Sequence, residues 1–127
     1  MMTDKELKLA AEKVLINAYS PYSNVNVAAA VLTKDGNVYT GVNIENSSYG
    51  LTVCAERNAI AAAINSGDRD FLRMTIVTNS KLVKSPCGSC RQVIFEFNKN
   101  MPIDFYGPDG YHKNFNSAAL LPEGFEL

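Results

Sequence analysis

The chain has 127 residues, of which 46% are hydrophobic and 20% are charged, and its formal net charge at pH 7 is -1. This length allows one domain over residues 1–127, and the near-neutral charge argues against nucleic acid as a partner, because nucleic-acid binders usually carry a basic face. Since no apolar stretch is long enough to span a membrane and the charged N-terminus lacks the apolar centre of a signal peptide, we expect a cytoplasmic protein with no membrane partner.

The first third of the chain predicts one helix and one hairpin. Apolar residues recur at three- and four-residue intervals from residue 3 to about 18, which indicates an amphipathic helix with Thr3 and Glu6 forming a capping box. Residues 25–33 are rich in Val, Ala and Leu and predict a strand. The turn Asp35-Gly36 then leads into a second strand over about 37–43.

The rest of the chain alternates between helical and extended patterns. Residues 54–64 are Ala-rich and mostly apolar, as a buried helix should be, and Gly67 ends this helix. Pro86 is expected in the first turn of a later helix, where its missing N–H does no harm. The remaining predicted elements are a strand over 72–78, the helix over 86–97, a strand over 102–106 and a helical turn over 117–121.

This order of elements predicts the fold class. The early hairpin is antiparallel, whereas helices that separate later strands imply parallel pairing. We therefore expect a three-layer α/β/α sandwich around a mixed sheet of about five strands, four of which these patterns locate.

All three cysteines lie at the predicted starts of the two central helices. Cys54 begins one helix, and Cys87 and Cys90 form a Cys-x-x-Cys at the start of the other. A helix N-terminus favours thiolate over thiol, and an odd number of cysteines suits a reducing compartment better than a set of disulfides. Three thiolate ligands predict a Zn²⁺ ion with one open position, which is the catalytic rather than the structural pattern.

Glu56 lies two residues after Cys54 and is the expected catalytic proton carrier. Cys-x-Glu followed by Pro-Cys-x-x-Cys is the pattern of the zinc deaminases, whose glutamate is not a ligand. The alternative is a structural zinc site, which would need a fourth ligand. The only candidate histidine, His112, lies far from any metal-ligand spacing.

Two arginines follow the predicted zinc ligands in sequence. Three thiolates leave the zinc site with a net negative charge, which a nearby cation would offset. We expect Arg57 to donate a hydrogen bond to a ligand sulfur. Arg91 is equally open to a similar role or to a solvated position on the surface.

Four segments together resemble the small, homotetrameric cytidine deaminases, and they span most of the chain. These segments are residues 18–36, 41–60, 85–96 and 120–125. The resemblance implies one zinc ion per subunit and the hydrolysis of cytidine and deoxycytidine to the uridines with release of ammonia, in pyrimidine salvage. It also implies a homotetramer whose substrate is a free nucleoside.

The resemblance further implies how the nucleoside is held. Asn43 and Glu45 should bind the ribose hydroxyls, although their spacing alone fits two polar loop residues equally well. Ala55 should offer its backbone N–H to the pyrimidine. Tyr49 and Phe125 should reach the site of a neighbouring subunit, with Phe125 near the base.

Val25 departs from the family pattern, which commonly has a phenylalanine that contacts the base. Stacking on a base contributes about 1–3 kcal/mol, so Val25 predicts nucleoside binding weaker by about one decade. It also leaves space beside the ring, and we expect tolerance of bulkier pyrimidine substituents.

Three other functions compete with this interpretation. A blasticidin-S deaminase shares the zinc motifs but lacks the Asn-x-Glu-Asn that residues 43–46 retain. A polynucleotide deaminase would need a basic, aromatic-lined channel, of which a near-neutral chain without Trp gives little sign. The third is a non-catalytic zinc module.

Overall fold

The computed structural model describes residues 1–127 and contains one five-stranded sheet with four α-helices. In chain order the elements are α1 (Asp4–Val14), β1 (Val27–Thr33), β2 (Val38–Val42), α2 (Ala55–Asn65), β3 (Phe71–Thr78), α3 (Gly88–Phe97), β4 (Pro102–Tyr106), β5 (His112–Asn116) and α4 (Ser117–Leu120). None of these helices is both long enough and apolar enough to cross a membrane.

Helix α1 begins with the predicted capping box. The Thr3 hydroxyl accepts a hydrogen bond from the Glu6 N–H at 3.2 Å, and the Glu6 carboxylate accepts one from the Thr3 N–H at 3.2 Å. These two bonds satisfy backbone donors that a helix start otherwise leaves free. A single 3₁₀ turn over Leu15–Asn17 follows the helix, so the helical segment ends one residue before its predicted limit.

The strands lie in the order β2-β1-β3-β4-β5. The predicted hairpin of β1 and β2 is antiparallel, and β3 and β4 are parallel. Strand β3 pairs antiparallel with β1 although α2 precedes it. Strands β2 and β3 both run antiparallel to β1, which lies between them, so β2 and β3 point in the same direction. Helix α2 therefore connects two parallel strands, as predicted, but these strands are not hydrogen-bonded to each other.

Two predicted element starts were wrong by two residues, several other boundaries differ by one, and one strand was missed. Pro86 lies before the helix, because Cys87 is its extended N-cap and Gly88 its first residue. Strand β1 begins at Val27, two residues later than predicted. Strand β5, whose sequence HKNFN lacks apolar alternation, forms the sheet edge and pairs with β4.

Side chains of β1 alternate between the two faces of the sheet, which places the helices in two layers. Ala29 and Val31 face the core beneath α2 and α3. Ala28, Ala30 and Leu32 face the smaller core beneath α1. The predicted α/β/α sandwich with a mixed sheet is therefore confirmed, and the small alanines let helices approach both faces closely.

Candidate active site

The three cysteines meet where α2 and α3 begin. Cys54 is the N-cap of α2, Cys87 is the N-cap of α3, and Cys90 lies in the first turn of α3. Both N-caps are extended, and neither cysteine side chain caps its own helix. The two sulfurs are therefore free to point away from the backbone toward the same point.

The sulfur spacing fits a tetrahedral metal site. The Sγ atoms of Cys54 and Cys87 are 3.6 Å apart, those of Cys87 and Cys90 are 3.4 Å apart, and all three lie within 4.8 Å of one another. Two sulfurs that each bind a zinc ion at about 2.3 Å in tetrahedral geometry are about 3.8 Å apart. No fourth Cys, His, Asp or Glu joins the group, so a fourth position is left for water or substrate.

The environment of the sulfurs favours thiolate at Cys54. Hydrogen bonds with Cys90 and then with Arg57 lower the pKa of the Cys54 thiol to about 5. The same contact with Cys54, together with burial, raises the pKa of Cys90. Arg57 Nη2 donates to Cys54 Sγ at 3.7 Å and to the Thr52 carbonyl oxygen at 3.3 Å. Arg57 therefore places a positive charge beside the sulfur cluster.

Glu56 is buried beside the sulfurs in the first turn of α2. Only 4% of this residue is exposed to solvent. Burial raises the pKa of Glu56 to about 7, and the charge of Cys54 makes a smaller contribution in the same direction. A carboxyl group with a pKa near the working pH can both accept and donate a proton, which suits it to acid–base catalysis.

A cavity of about 210 Å³ opens beside Cys54, Cys87 and Glu56. Its lining combines these chemical groups with apolar and small polar side chains. The other lining residues are Val27, Asn43, Thr52, Ala55, Val83, Ser85 and Phe105. The cavity thus brings a buried carboxyl group, two of the three sulfurs and an apolar wall together in a space open to a small ligand.

Asn43 lines this cavity and also ties two segments together. Its amide Nδ2 donates to the Val25 carbonyl oxygen at 2.8 Å, and its Oδ1 accepts from the Val27 N–H at 2.9 Å. A primary amide has two donor hydrogens and two acceptor lone pairs, so one of each remains for a ligand. Asn43 can therefore support the chain before β1 and bind a hydroxyl group as well.

Comparison with known proteins identifies the family. A family model described as the zinc-binding region of cytidine and deoxycytidylate deaminases matches residues 1–103. The chain belongs to this deaminase family. Membership confirms the predicted family and enzyme class, and together with the sulfur spacing it supports Zn²⁺ as the cofactor.

Three cytidine deaminases are similar to this chain over almost its whole length. A cytidine deaminase of Sporosarcina psychrophila is 46% identical over 121 residues, which cover 93% of this chain and 89% of the relative. The crystal structure of a cytidine deaminase from Burkholderia pseudomallei matches with a TM-score of 0.92 at 38% identity, covering 98% of this chain and 100% of that one. A cytidine deaminase structure from Mycobacterium tuberculosis matches with a TM-score of 0.83 at 37% identity, covering 99% and 100%.

Glu45 of this deaminase lies outside the cavity, in a neighbouring groove. The groove is lined by Tyr22, Ser23, Glu45, Asn46, Tyr49 and Thr52. Its carboxylate accepts hydrogen bonds from the Tyr22 and Ser23 N–H groups at 3.0 and 3.3 Å and another from the Ser23 hydroxyl. The Ser23 hydroxyl contributes most to lowering the pKa of Glu45. Thr52 lines both the groove and the cavity, so the two spaces adjoin.

Of two more predicted contacts, only Ala55 lines the cavity. Ala55 is buried at the first position of α2, where its N–H has no acceptor within the helix. Val25 is half-buried but does not line the cavity; Val27, two residues further along, lines it instead.

Tyr49 and Phe125 do not reach the cavity of their own chain. Tyr49 is 79% exposed in the groove beside Glu45, and Phe125 is 67% exposed near the C-terminus. The tail that carries Phe125 lies against α3, where Gln92 Nε2 donates to the Phe125 carbonyl oxygen at 3.0 Å.

Arg91 takes neither of the two expected roles, which were a hydrogen bond to a ligand sulfur and a solvated position on the surface. Its guanidinium donates to the Pro86 carbonyl oxygen at 2.7 Å, the Leu120 carbonyl oxygen at 3.1 Å and the Ser85 hydroxyl at 2.9 Å. Arg91 thus ties the start of α3 to the end of α4 and contacts no sulfur. His112 lies in β5, stacked on Tyr106 with ring centroids 4.1 Å apart, and takes no part in the sulfur cluster.

Sequence reasoning missed several lining residues. Thr52 and Ser85 each lie two residues before a cysteine, Cys54 and Cys87 respectively, and in extended chain alternate residues share a face. This two-residue spacing could have predicted from the sequence that both side chains face the cysteine site. Phe105 carried no such signal, because it is one of several apolar residues in β4 and reaches the cavity only through the fold.

Proposed function

We propose that this deaminase hydrolyses free cytidine and deoxycytidine to uridine and deoxyuridine with release of ammonia. The observation that carries this proposal is the burial of Glu56 in the wall of the same small cavity that Cys54 and Cys87 line. Relatives named cytidine deaminase, matched over nearly their full length, support the choice of reaction.

In the proposed mechanism Cys54, Cys87 and Cys90 would hold zinc, and Glu56 would move the protons. When bound, zinc supplies an acidified water molecule, with a pKa lowered toward about 7. Glu56 accepts a proton as the water oxygen attacks C4 of the pyrimidine, and passes that proton to ring nitrogen N3. A second proton transfer through Glu56 lets ammonia depart as the C4–N4 bond breaks. The net change is water consumed, ammonia released and a carbonyl formed at C4.

Recognition of the nucleoside is assigned to groups around this centre. The free N–H of Ala55 would donate to the pyrimidine, and the remaining amide groups of Asn43 would bind a ribose hydroxyl. Glu45, held by its hydrogen bonds with Tyr22 and Ser23, would accept a hydrogen bond from the second ribose hydroxyl. The ribose would then lie where the groove and the cavity meet at Thr52. A structural zinc module would leave the buried Glu56 without a role and would need a fourth protein ligand that the sulfur cluster lacks.

A substrate panel separates the competing functions. Ammonia release is measured from cytidine, deoxycytidine, cytosine, blasticidin S and single-stranded DNA, with and without prior removal of metal by a chelator. We expect turnover of the two nucleosides alone, lost on chelation and restored by Zn²⁺. Turnover of blasticidin S or DNA alone would reassign the substrate, and no turnover at all would leave the structural-zinc alternative.

We also propose a homotetramer in which Tyr49 and Phe125 complete neighbouring sites. Both aromatic side chains are mostly exposed in the single chain, and neither lines its own cavity. Light scattering should give a mass of four subunits. Glu56→Gln and Phe125→Ala are each expected to be nearly inactive alone. Mixed tetramers should regain activity, because a site with an intact Glu56 can receive an intact Phe125 from its neighbour. Absence of any recovery in verified mixed tetramers would argue against this role.

The wider role proposed is pyrimidine salvage by a single catalytic domain in the cytoplasm. Expression in a bacterial pyrimidine auxotroph that lacks its own cytidine deaminase tests it. We expect growth on cytidine as the only pyrimidine source, and no growth with Glu56→Gln.

A further inference from the structure

Strand β2 and helix α2 approach each other very closely at Gly41. A Cβ atom at this position would lie 2.3 Å from the backbone nitrogen of Ala59 and 2.5 Å from the carbonyl oxygen of Ala55. Ordinary contacts of a Cβ atom lie at 3.4–4 Å, so the helix would have to retreat by about 1 Å. Since the contacted atoms belong to backbone, no side-chain rotation can relieve the overlap. This approach therefore requires glycine.

The part of α2 that Gly41 contacts is the part that carries the chemistry. Ala55 and Ala59 are four residues apart, the spacing of a hydrogen-bonded pair in an α-helix. Glu56 follows Ala55 in the same turn, and Cys54 is the N-cap directly before it. A displacement of the helix at Gly41 would consequently carry the catalytic carboxyl group and one sulfur with it.

A hydrogen bond fastens the two elements beside this contact. Asn58 Nδ2 donates to the Val42 carbonyl oxygen at 2.7 Å. Val42 ends β2 and is followed by Asn43, which lines the cavity together with Cys54 and Glu56. The same attachment thus fixes Asn43 relative to Glu56.

We propose that Gly41 and Asn58 are positioning residues that set the separation between the Asn43 wall of the cavity and the wall formed by Glu56 and Cys54. This inference rests on the proposed function, because it takes Glu56 and Cys54 as members of the reactive site. Neither Gly41 nor Asn58 lines the cavity, so both act through the position of α2.

The test uses Gly41→Ala in the full chain loaded with Co²⁺, whose thiolate absorption bands report the geometry at the sulfurs without substrate. We expect altered cobalt bands and kcat reduced about ten- to hundredfold, since a misplacement of about 1 Å in a catalytic group can cost about a hundredfold. The fall in kcat should exceed the change in KM. Gly107→Ala is the matched control, because a Cβ there meets only Tyr111 at an ordinary 3.4 Å.

A second pair of variants covers the case in which Gly41→Ala fails to fold. Asn58→Ala removes the attachment without adding bulk and should shift the cobalt bands and kcat in the same direction. Leu7→Ala weakens the core on the opposite face of the sheet and should shift neither.

Cobalt bands and kcat that match wild type in the folded Gly41 or Asn58 variant would overturn the proposal, as would equal changes in Leu7→Ala. If the Co²⁺-loaded wild type shows the thiolate bands but deaminates no nucleoside, the proposed function fails. The cobalt spectra of the variants would still decide whether Gly41 and Asn58 position the sulfur site.

Discussion

Arg57 Nη2 lies 3.7 Å from the sulfur of Cys54 and 3.3 Å from the carbonyl oxygen of Thr52. One guanidinium nitrogen therefore joins a proposed zinc ligand to the extended residue two positions before it. This arrangement holds a positive charge against the sulfur cluster, and the contact with Cys54 in turn raises the pKa of Arg57. Groups that hydrogen-bond metal ligands in this way orient them and tune the metal.

The first prediction concerns this contact. Arg57→Ala should fold, but should lose zinc to a competing chelator about 10–100-fold more readily or lose turnover by a similar factor. Zinc release followed with a colorimetric chelator, alongside steady-state kinetics, measures both quantities. Arg69→Ala, at an exposed arginine after α2, is the control. Zinc release and kinetics identical to wild type would remove Arg57 from the site.

The second prediction concerns the double duty of Asn43. Asn43→Ala removes both hydrogen bonds to residues 25 and 27 and leaves their backbone groups without partners, which should lower the free energy of unfolding by about 1–3 kcal/mol. It should also raise KM for cytidine. Urea unfolding and kinetics separate the two effects, and a loss of stability with KM unchanged would make Asn43 purely structural.

The third prediction concerns the charge of Glu45. Because the Ser23 hydroxyl lowers the pKa of Glu45, the ionised carboxylate stabilises the folded chain above its ordinary pKa. That contribution is lost as the pH falls through the lowered value. Ser23→Ala should raise the Glu45 pKa back toward 4.5, its unperturbed value. Carbon-13 NMR titration of the Glu45 carboxyl in both proteins measures the shift, and equal midpoints would contradict it.

The fourth prediction concerns Val25. If Val25 leaves room beside the base, Val25→Phe should raise kcat/KM for cytidine by about tenfold and reduce the relative rates on N4- and C5-substituted cytidines. Relative rates on the three nucleosides test this directly. An unchanged preference would show that substrate range is set elsewhere, with Val27 in the cavity wall the next candidate.

Features encoded by nearby residues were predictable from the sequence. The capping box joins residues three apart, so its pattern alone located the start of α1. One long-range feature was also predictable: Cys54 meets Cys87, 33 residues away, and the two motifs together match the pattern of the zinc deaminases. Strand β4 was located at its observed bounds, Pro102–Tyr106.

Features created by distant parts of the chain were not predictable. Arg91 binds the Leu120 carbonyl oxygen 29 residues away, a partner that only the packing of α4 brings near. Strand β5 gave no signal, because an exposed edge strand needs no apolar alternation. The contact at Gly41 was equally hidden, since it depends on how closely α2 packs on β2.

The most direct measurement of the central claim is zinc content and cytidine turnover in Glu56→Gln. The amide keeps the size of the side chain but cannot carry the proton. We predict one zinc ion per subunit, as in wild type, with uridine formation reduced to nearly nothing. Substantial turnover in the zinc-loaded variant would contradict the account, because the proton would then travel by another group.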